Sequence, residues 1–133
     1  MSPETRSSTP VPLSVLLCRD CCCGTYRKHY GFNHRQQEID LKAAVTEAGG
    51  KLLRVNCLDA CSHSNVVVLR TQNHGRIWFG GLADEASHEA LVAFVRAGAR
   101  GEIPPSLRHL QFTPTPANEE VERRCNLRGI PVY

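Results

Sequence analysis

The sequence predicts an α/β fold in which a mixed β-sheet carries flanking helices. Short apolar runs of strand length alternate with two longer stretches of helical periodicity. The first helical stretch separates two apolar runs by a span long enough for a parallel crossover. A turn signal, Asn73-His74-Gly75, joins two later apolar runs as a hairpin.

Residues 13–17 form an apolar run, broken only by Ser14, and read as a buried strand that delivers Cys18 at its end. Residues 18–32 have no apolar period and read as a loop. Asn33 is placed to cap a helix, with Gln36 three positions on as its reciprocal partner. That helix is expected to run to about Ala48, with Leu41, Ala44, Val45 and Ala48 on its inner face and Gly49-Gly50 at its end. Residues 51–56 read as a second strand, leading directly into Cys57. Residues 65–70 hold Val66-Val67-Val68-Leu69, a buried strand, and residues 76–79 its hairpin partner. Trp78 and Phe79 read as core packing.

Asp84-Glu85 opens a second helix, where negative charge favours the positive end of the dipole. His88, Leu91, Val92 and Val95 form its inner stripe, and residues 98–105 break it. Residues 106–133 show scattered apolar residues and no period. They read as an irregular extension docked through Leu110 and Phe112. The order strand-helix-strand-strand-strand-helix is consistent with a thioredoxin-like mixed sheet. The organisation expected is a disordered tail over 1–12, one domain over 13–98 and a C-terminal extension over 99–133.

The chain has 133 residues and is 41% hydrophobic, enough for one packed core without cross-links. A net charge of +3, with no basic stripe carrying interleaved aromatics, gives no reading of nucleic-acid binding. No apolar stretch has the length of a membrane span, so no membrane partner is expected. Residues 1–12 are polar and rich in Pro, Ser and Thr, and the apolar run after them is too short for a secretory signal. The expected location is cytoplasmic, where cysteines act as thiols, metal ligands or redox groups. No phosphate loop, dinucleotide fingerprint or nucleophile–base pair suggests substrate catalysis, so no enzyme activity is expected.

Seven cysteines are many for this length, and the odd number leaves one over from any disulfide framework. Cys18, Cys21, Cys22 and Cys23 gather at the end of the first strand. Cys57 and Cys61 follow the second. In a parallel crossover both strand ends emerge on one side of the sheet, so clusters far apart in sequence can meet there. A set of four soft thiolates suits an iron–sulfur cluster, and also zinc or copper(I).

Cys18, four residues, Cys23, thirty-three residues, Cys57, three residues, Cys61 resembles the ligand pattern of thioredoxin-like 2Fe–2S ferredoxins. The pattern is especially similar to that of the small peripheral iron–sulfur subunit of respiratory complex I and NAD-linked hydrogenases. Cys57-Leu58-Asp59-Ala60-Cys61 differs from that family's motif in having Asp59 where glycine stands. Ser62-His63-Ser64-Asn65 replaces the proline usual after the last cysteine. Cys-Arg-Asp-Cys-Cys-Cys-Gly-Thr over 18–25 is similar to a subgroup of free-standing bacterial ferredoxin-domain proteins. The likeness covers about residues 13–98. It implies a 2Fe–2S cluster held by Cys18, Cys23, Cys57 and Cys61, with Cys21 or Cys22 as alternates to Cys23. It further implies one-electron exchange with a protein partner, and homodimers as a possible assembly.

Other readings stay open. Cys18 and Cys21 have zinc-ligand spacing, which allows a metal-binding module with Cys21 and Cys22 as surplus ligands. A redox-sensing regulator, in which cluster loss alters a partner contact, is a third class. Cys18-Arg19-Asp20-Cys21 is formally a dithiol motif, but it does not open the predicted helix, where a dipole would activate it. His29, His34, His63 and His74 read as residues of solvated loops. His63, two positions after Cys61, is the one placed to act as a proton partner of the site. Cys125 reads as an unpaired thiol in a polar tail.

The loop that supplies Cys18 and Cys23 also carries Arg19, Arg27, Lys28 and Arg35 against Asp20. Positive charge beside an anionic centre stabilises the added electron. The potential is therefore expected above the plant-type value of about −400 mV, and the partner's docking face is expected to be acidic. Neutralising Arg19, Arg27 and Lys28 together should lower the potential measured by voltammetry, and high salt should shrink the difference. An unchanged or higher potential in the triple variant at low salt would mean that these charges do not act on the centre.

Overall fold

The computed structural model describes residues 13–18, 31–55, 65–72 and 74–124 of the chain. Its elements are β1 (Ser14–Cys18), α1 (His34–Glu47), β2 (Lys51–Val55), β3 (Val67–Arg70), β4 (Arg76–Phe79), α2 (Glu85–Arg96), α3 (Pro105–Arg108) and α4 (Pro116–Arg123). The strands form one sheet in the order β2-β1-β3-β4. β1 pairs with β2 in parallel and with β3 antiparallel, and β3 with β4 antiparallel. This mixed sheet with flanking helices is compatible with the thioredoxin-like α/β expectation.

Local chemistry explains the crossover. The Asn33 side chain accepts from the Gln36 amide at 2.9 Å and starts α1. The reciprocal half of the expected capping box is not made: the Gln36 side chain donates instead to Asp40, at 2.7 Å. Gly49, at φ +83°, and Gly50 close α1 by donating to Thr46 and Val45. Gly50 has a second constraint, because a Cβ there would run into the Leu13 carbonyl. The next residue, Lys51, donates to that same carbonyl at 3.0 Å, so the chain enters β2 already in register with β1.

Alternation along the strands divides the core in two. On one face Val15, Leu17, Val67, Leu69, Ile77 and Phe79 pack under α1 and α2. On the other, Leu16, Cys18, Leu53, Val55, Val66, Val68 and Trp78 form a second cluster. The inner face of α1 is as predicted, with Leu41, Ala44 and Val45 buried, and His34 and Gln37 join them. In α2, Leu91 and Val95 are buried as predicted, while Phe94 is buried and Val92 only partly so.

The extension departs from its irregular reading. Leu110 and Phe112 dock as predicted: Gly80 donates to the Leu110 carbonyl and Phe112 to that of Trp78, beside β4. Residues 105–123 also form α3 and α4, and Leu107 of α3 belongs to the core under α2. Thr115 and Asn118 cap α4 reciprocally. The inward positions of α4 are Asn118, Val121 and Glu122, a helical spacing filled mainly by polar residues. A search for apolar period does not see such a helix.

Glu122 is what binds α4 to the sheet. Arg70 and Arg76 stand directly opposite each other in the β3–β4 pair, an arrangement of like charges that is unfavourable alone. Glu122, 1% exposed, accepts from Arg70 Nε at 2.6 Å and from Arg76 Nε at 2.7 Å. Its carbonyl accepts a further bond from Arg70 Nη2 at 2.9 Å. Removing the carboxylate charge leaves two facing guanidinium groups without the carboxylate between them. Glu122→Gln should therefore cost roughly 3 kcal/mol, read as a lower urea midpoint. An unchanged midpoint would show that α4 is not held by this contact.

Candidate metal centre

Cys18 is the last residue of β1 and is 3% exposed. Its Cα partner across the parallel pair is Val55, the last residue of β2. Cys57 follows Val55 by two residues, a chain reach of at most about 7 Å. The Cys18 amide donates to the Val66 carbonyl at 3.3 Å, which places the start of β3 at the same edge. Two strands thus end, and a third begins, around Cys18. The cysteine-rich stretches 19–30 and 56–64 both leave the sheet at this point.

Cys21, Cys22, Cys23, Cys57, Cys61, His29 and His63 lie outside the described residues, as do Arg19, Arg27, Lys28 and Cys125. Cys18 is the one proposed ligand within them. Among the described residues no group of three or more His, Cys, Asp or Glu side chains is set to hold a metal ion. No described helix is long and apolar enough to cross a membrane.

Beside this edge, on the helix-covered side, lies a buried polar group. Asn65, fully buried, donates to His34 Nδ1 at 2.9 Å and to the Leu82 carbonyl at 3.3 Å. Gln37 donates to the same carbonyl at 2.9 Å, and Leu82 N–H returns a bond to the Asn65 carbonyl. Burying these groups is tolerable because they satisfy one another. His34 is a correction to the sequence reading. It is not in a solvated loop but opens α1, 3% exposed, with Phe32 edge-on at 5.2 Å between centroids. His74 is exposed as expected and bonds the Gly101 carbonyl at 2.8 Å.

A second polar contact joins the two helices. His88 is buried on the inner stripe of α2 as predicted, and its Nε2 lies 2.8 Å from Asp40 Oδ2 on α1. Asp40 lines a groove of about 300 Å³ with Glu85, His88, Glu89 and Arg96. His88 Nδ1 is buried with no hydrogen-bond partner. Sequence reasoning singles out His34 and His88 but neither Asp40 nor the pairs, because Asp40–His88 and His34–Asn65 join positions distant in the chain. The only sequence signal was the polar residue itself within an apolar stripe.

The hydrogen bond from His88, then that from Gln36, holds Asp40 below the ordinary carboxylate value of 3.8. A folded-state value below the unfolded one gives stability that is complete above 3.8 and lost as pH falls through the folded value. Asp40→Asn should thus lower the urea midpoint near neutral pH and match wild type once both are in strong acid. A gap of equal size at both pH values would show that the charge of Asp40 is not its contribution.

Comparison of the chain with protein-family models, curated proteins and solved structures finds no match.

Proposed function

We propose that this protein binds a 2Fe–2S cluster through Cys18, Cys23, Cys57 and Cys61 and exchanges single electrons with a protein partner. The observation that carries the reading is the pairing of Cys18 with Val55 at the ends of parallel strands. It sets side by side the strand ends from which the stretches 19–30 and 56–64 begin. The resemblance of the cysteine spacing to thioredoxin-like ferredoxins supports the same four ligands, with Cys21 or Cys22 as alternates for Cys23.

The donor chemistry fits the group. Four thiolates are the ligand set of a 2Fe–2S core, and when bound it supplies a one-electron couple. The chain's own residues supply the rest. Cys18 is held by the sheet on both sides, paired with β2 and bonded to Val66. Leu16, Val66 and Trp78 pack in the same apolar cluster as Cys18 and keep water from that side of the edge. Exclusion of water and backbone N–H groups near sulfur are the protein's means of tuning a potential. An acidic partner face would complement the basic loop residues Arg19, Arg27 and Lys28.

Freshly purified protein should be brown, with equal iron and sulfide. A colourless protein with stoichiometric zinc would replace this reading with a structural metal site on the same thiolates. Cys57→Ala and Cys61→Ala should each abolish stable iron binding, because the second cluster has no spare thiol. Full iron retention in either variant would remove that residue as a ligand.

A further inference from the structure

The stretches 19–30 and 56–64 begin together at the sheet edge, since Cys18 and Val55 are register partners. Their far ends are also joined, by side chains. Asn65 is the first described residue after the second stretch. His34, which opens α1, follows the first stretch by way of Gly31, Phe32 and Asn33. The Asn65 amide donates to His34 Nδ1 at 2.9 Å, and both residues are buried.

The direction of that bond follows from its neighbours. The same Asn65 nitrogen faces the Leu82 carbonyl at 3.3 Å, and a carbonyl only accepts. The amide end that meets His34 is therefore the NH₂ end. His34 Nδ1 must accept, so the imidazole proton sits on Nε2. A metal-ligating histidine shows the opposite arrangement, donating from its second nitrogen to a carboxylate or carbonyl. His34 is thus built to be held, and not to ligate through Nε2.

We propose that Asn65 and His34 are positioning residues: a clasp that joins the far ends of the two cysteine-bearing stretches and so arranges their thiols for metal. This rests on the metal-thiolate reading above. The clasp acts on the metal-free chain as well, because it is made of side chains alone. Gln37 shares the Leu82 carbonyl with Asn65 but lies within α1 and not at the end of either stretch. It separates a clasp from a merely structural network.

The test uses the full chain in two states. Metal-free protein is alkylated and the rate at each cysteine is read by mass spectrometry. Protein reconstituted with iron and sulfide is challenged with a chelator, and iron release and visible circular dichroism are followed. His34→Leu and Asn65→Leu should release iron roughly tenfold faster or more, change the visible spectrum, and speed alkylation of Cys57 and Cys61. Gln37→Leu should lower the melting temperature without these changes. His34→Asn should restore wild-type behaviour, because Oδ1 lies as many bonds from the backbone as Nδ1 and also accepts. His34→Gln, with its polar atoms one bond further out, should not. The two polar variants decide the matter even where a leucine variant fails to fold.

Wild-type release and alkylation rates in His34→Gln would overturn the clasp. So would a Gln37→Leu variant with the changes expected of His34→Leu and Asn65→Leu. A wild-type protein that takes up no iron and sulfide would instead refute the cluster. The alkylation rates of the metal-free variants would still support or refute the clasp.

Discussion

The parallel pairing of β1 with β2 is the constraint on which the candidate site depends. Two parallel strands cannot be joined by a tight turn, so the chain must cross back along the sheet before the second begins. α1 makes that return, and Gly50 lets the chain come close enough to Leu13 to set the register. Both strands then end at the same edge. Had they paired antiparallel, Cys18 and Val55 would stand at opposite ends of the sheet. β3 runs antiparallel to β1 and so begins at that edge, which returns the stretch 56–64 to where it left. The N-termini of α1 and α2 follow from the same directions. That is why Asn65, His34, Gln37 and Leu82 can meet there.

Strand alternation then separates two kinds of contact at this edge. Cys18 shares the apolar face with Leu16, Val66 and Trp78, while Asn65, one residue from Val66, turns to the helical side. A shift of one residue in β3 would exchange these faces. It would bury Asn65 against apolar side chains without partners. Satisfied polar groups therefore help fix the register that the apolar core alone leaves less strictly defined. The extension contributes to the cysteine-bearing face, since Phe112 and Val121 pack on the cluster that holds Cys18. Trp78 and Phe112 meet edge-on at 5.9 Å.

Much of the fold was legible because it is written in local chemistry. Residues 76–79 and the cap at Asp84 are where apolar runs and capping residues place them. The parallel crossover was legible as topology, and the sheet bears it out: Cys18 and Val55 end neighbouring parallel strands. Less was legible where tertiary contacts override local pattern. His34 looks like any polar residue at a helix start until Asn65 arrives from thirty-one positions away. Phe94 is buried outside the stripe read for α2, with the His74 ring beside it at 6.2 Å, and α3 is hidden by its shortness. α4 was missed because its strongest anchor is an ion, Glu122, and ionic anchors leave no hydrophobic period.

Were a metal bound as proposed, the order of events in loading it would follow from where the stabilisation lies. A chain that must gather four ligands from disorder uses metal binding to fold, as small zinc modules do. Here two apolar clusters, one under the helices and one beneath Phe112 and Val121, close the sheet without any metal. Fully burying side chains such as Leu16, Leu91 or Phe79 stabilises by about 1.5–3 kcal/mol each. With the ends of both cysteine-bearing stretches tied by β1–β2 register, the Cys18–Val66 bond and the Asn65–His34 bond, the ordering left for a metal is confined to the stretches themselves. Loop-closure entropy rises slowly with length, about 0.6 kcal/mol per doubling. The larger saving would come from starting both stretches at one edge, which the β1–β2 register does. A bound metal then adds stability through its affinity for the folded form alone. On the proposed reading the fold would therefore carry the metal and not depend on it.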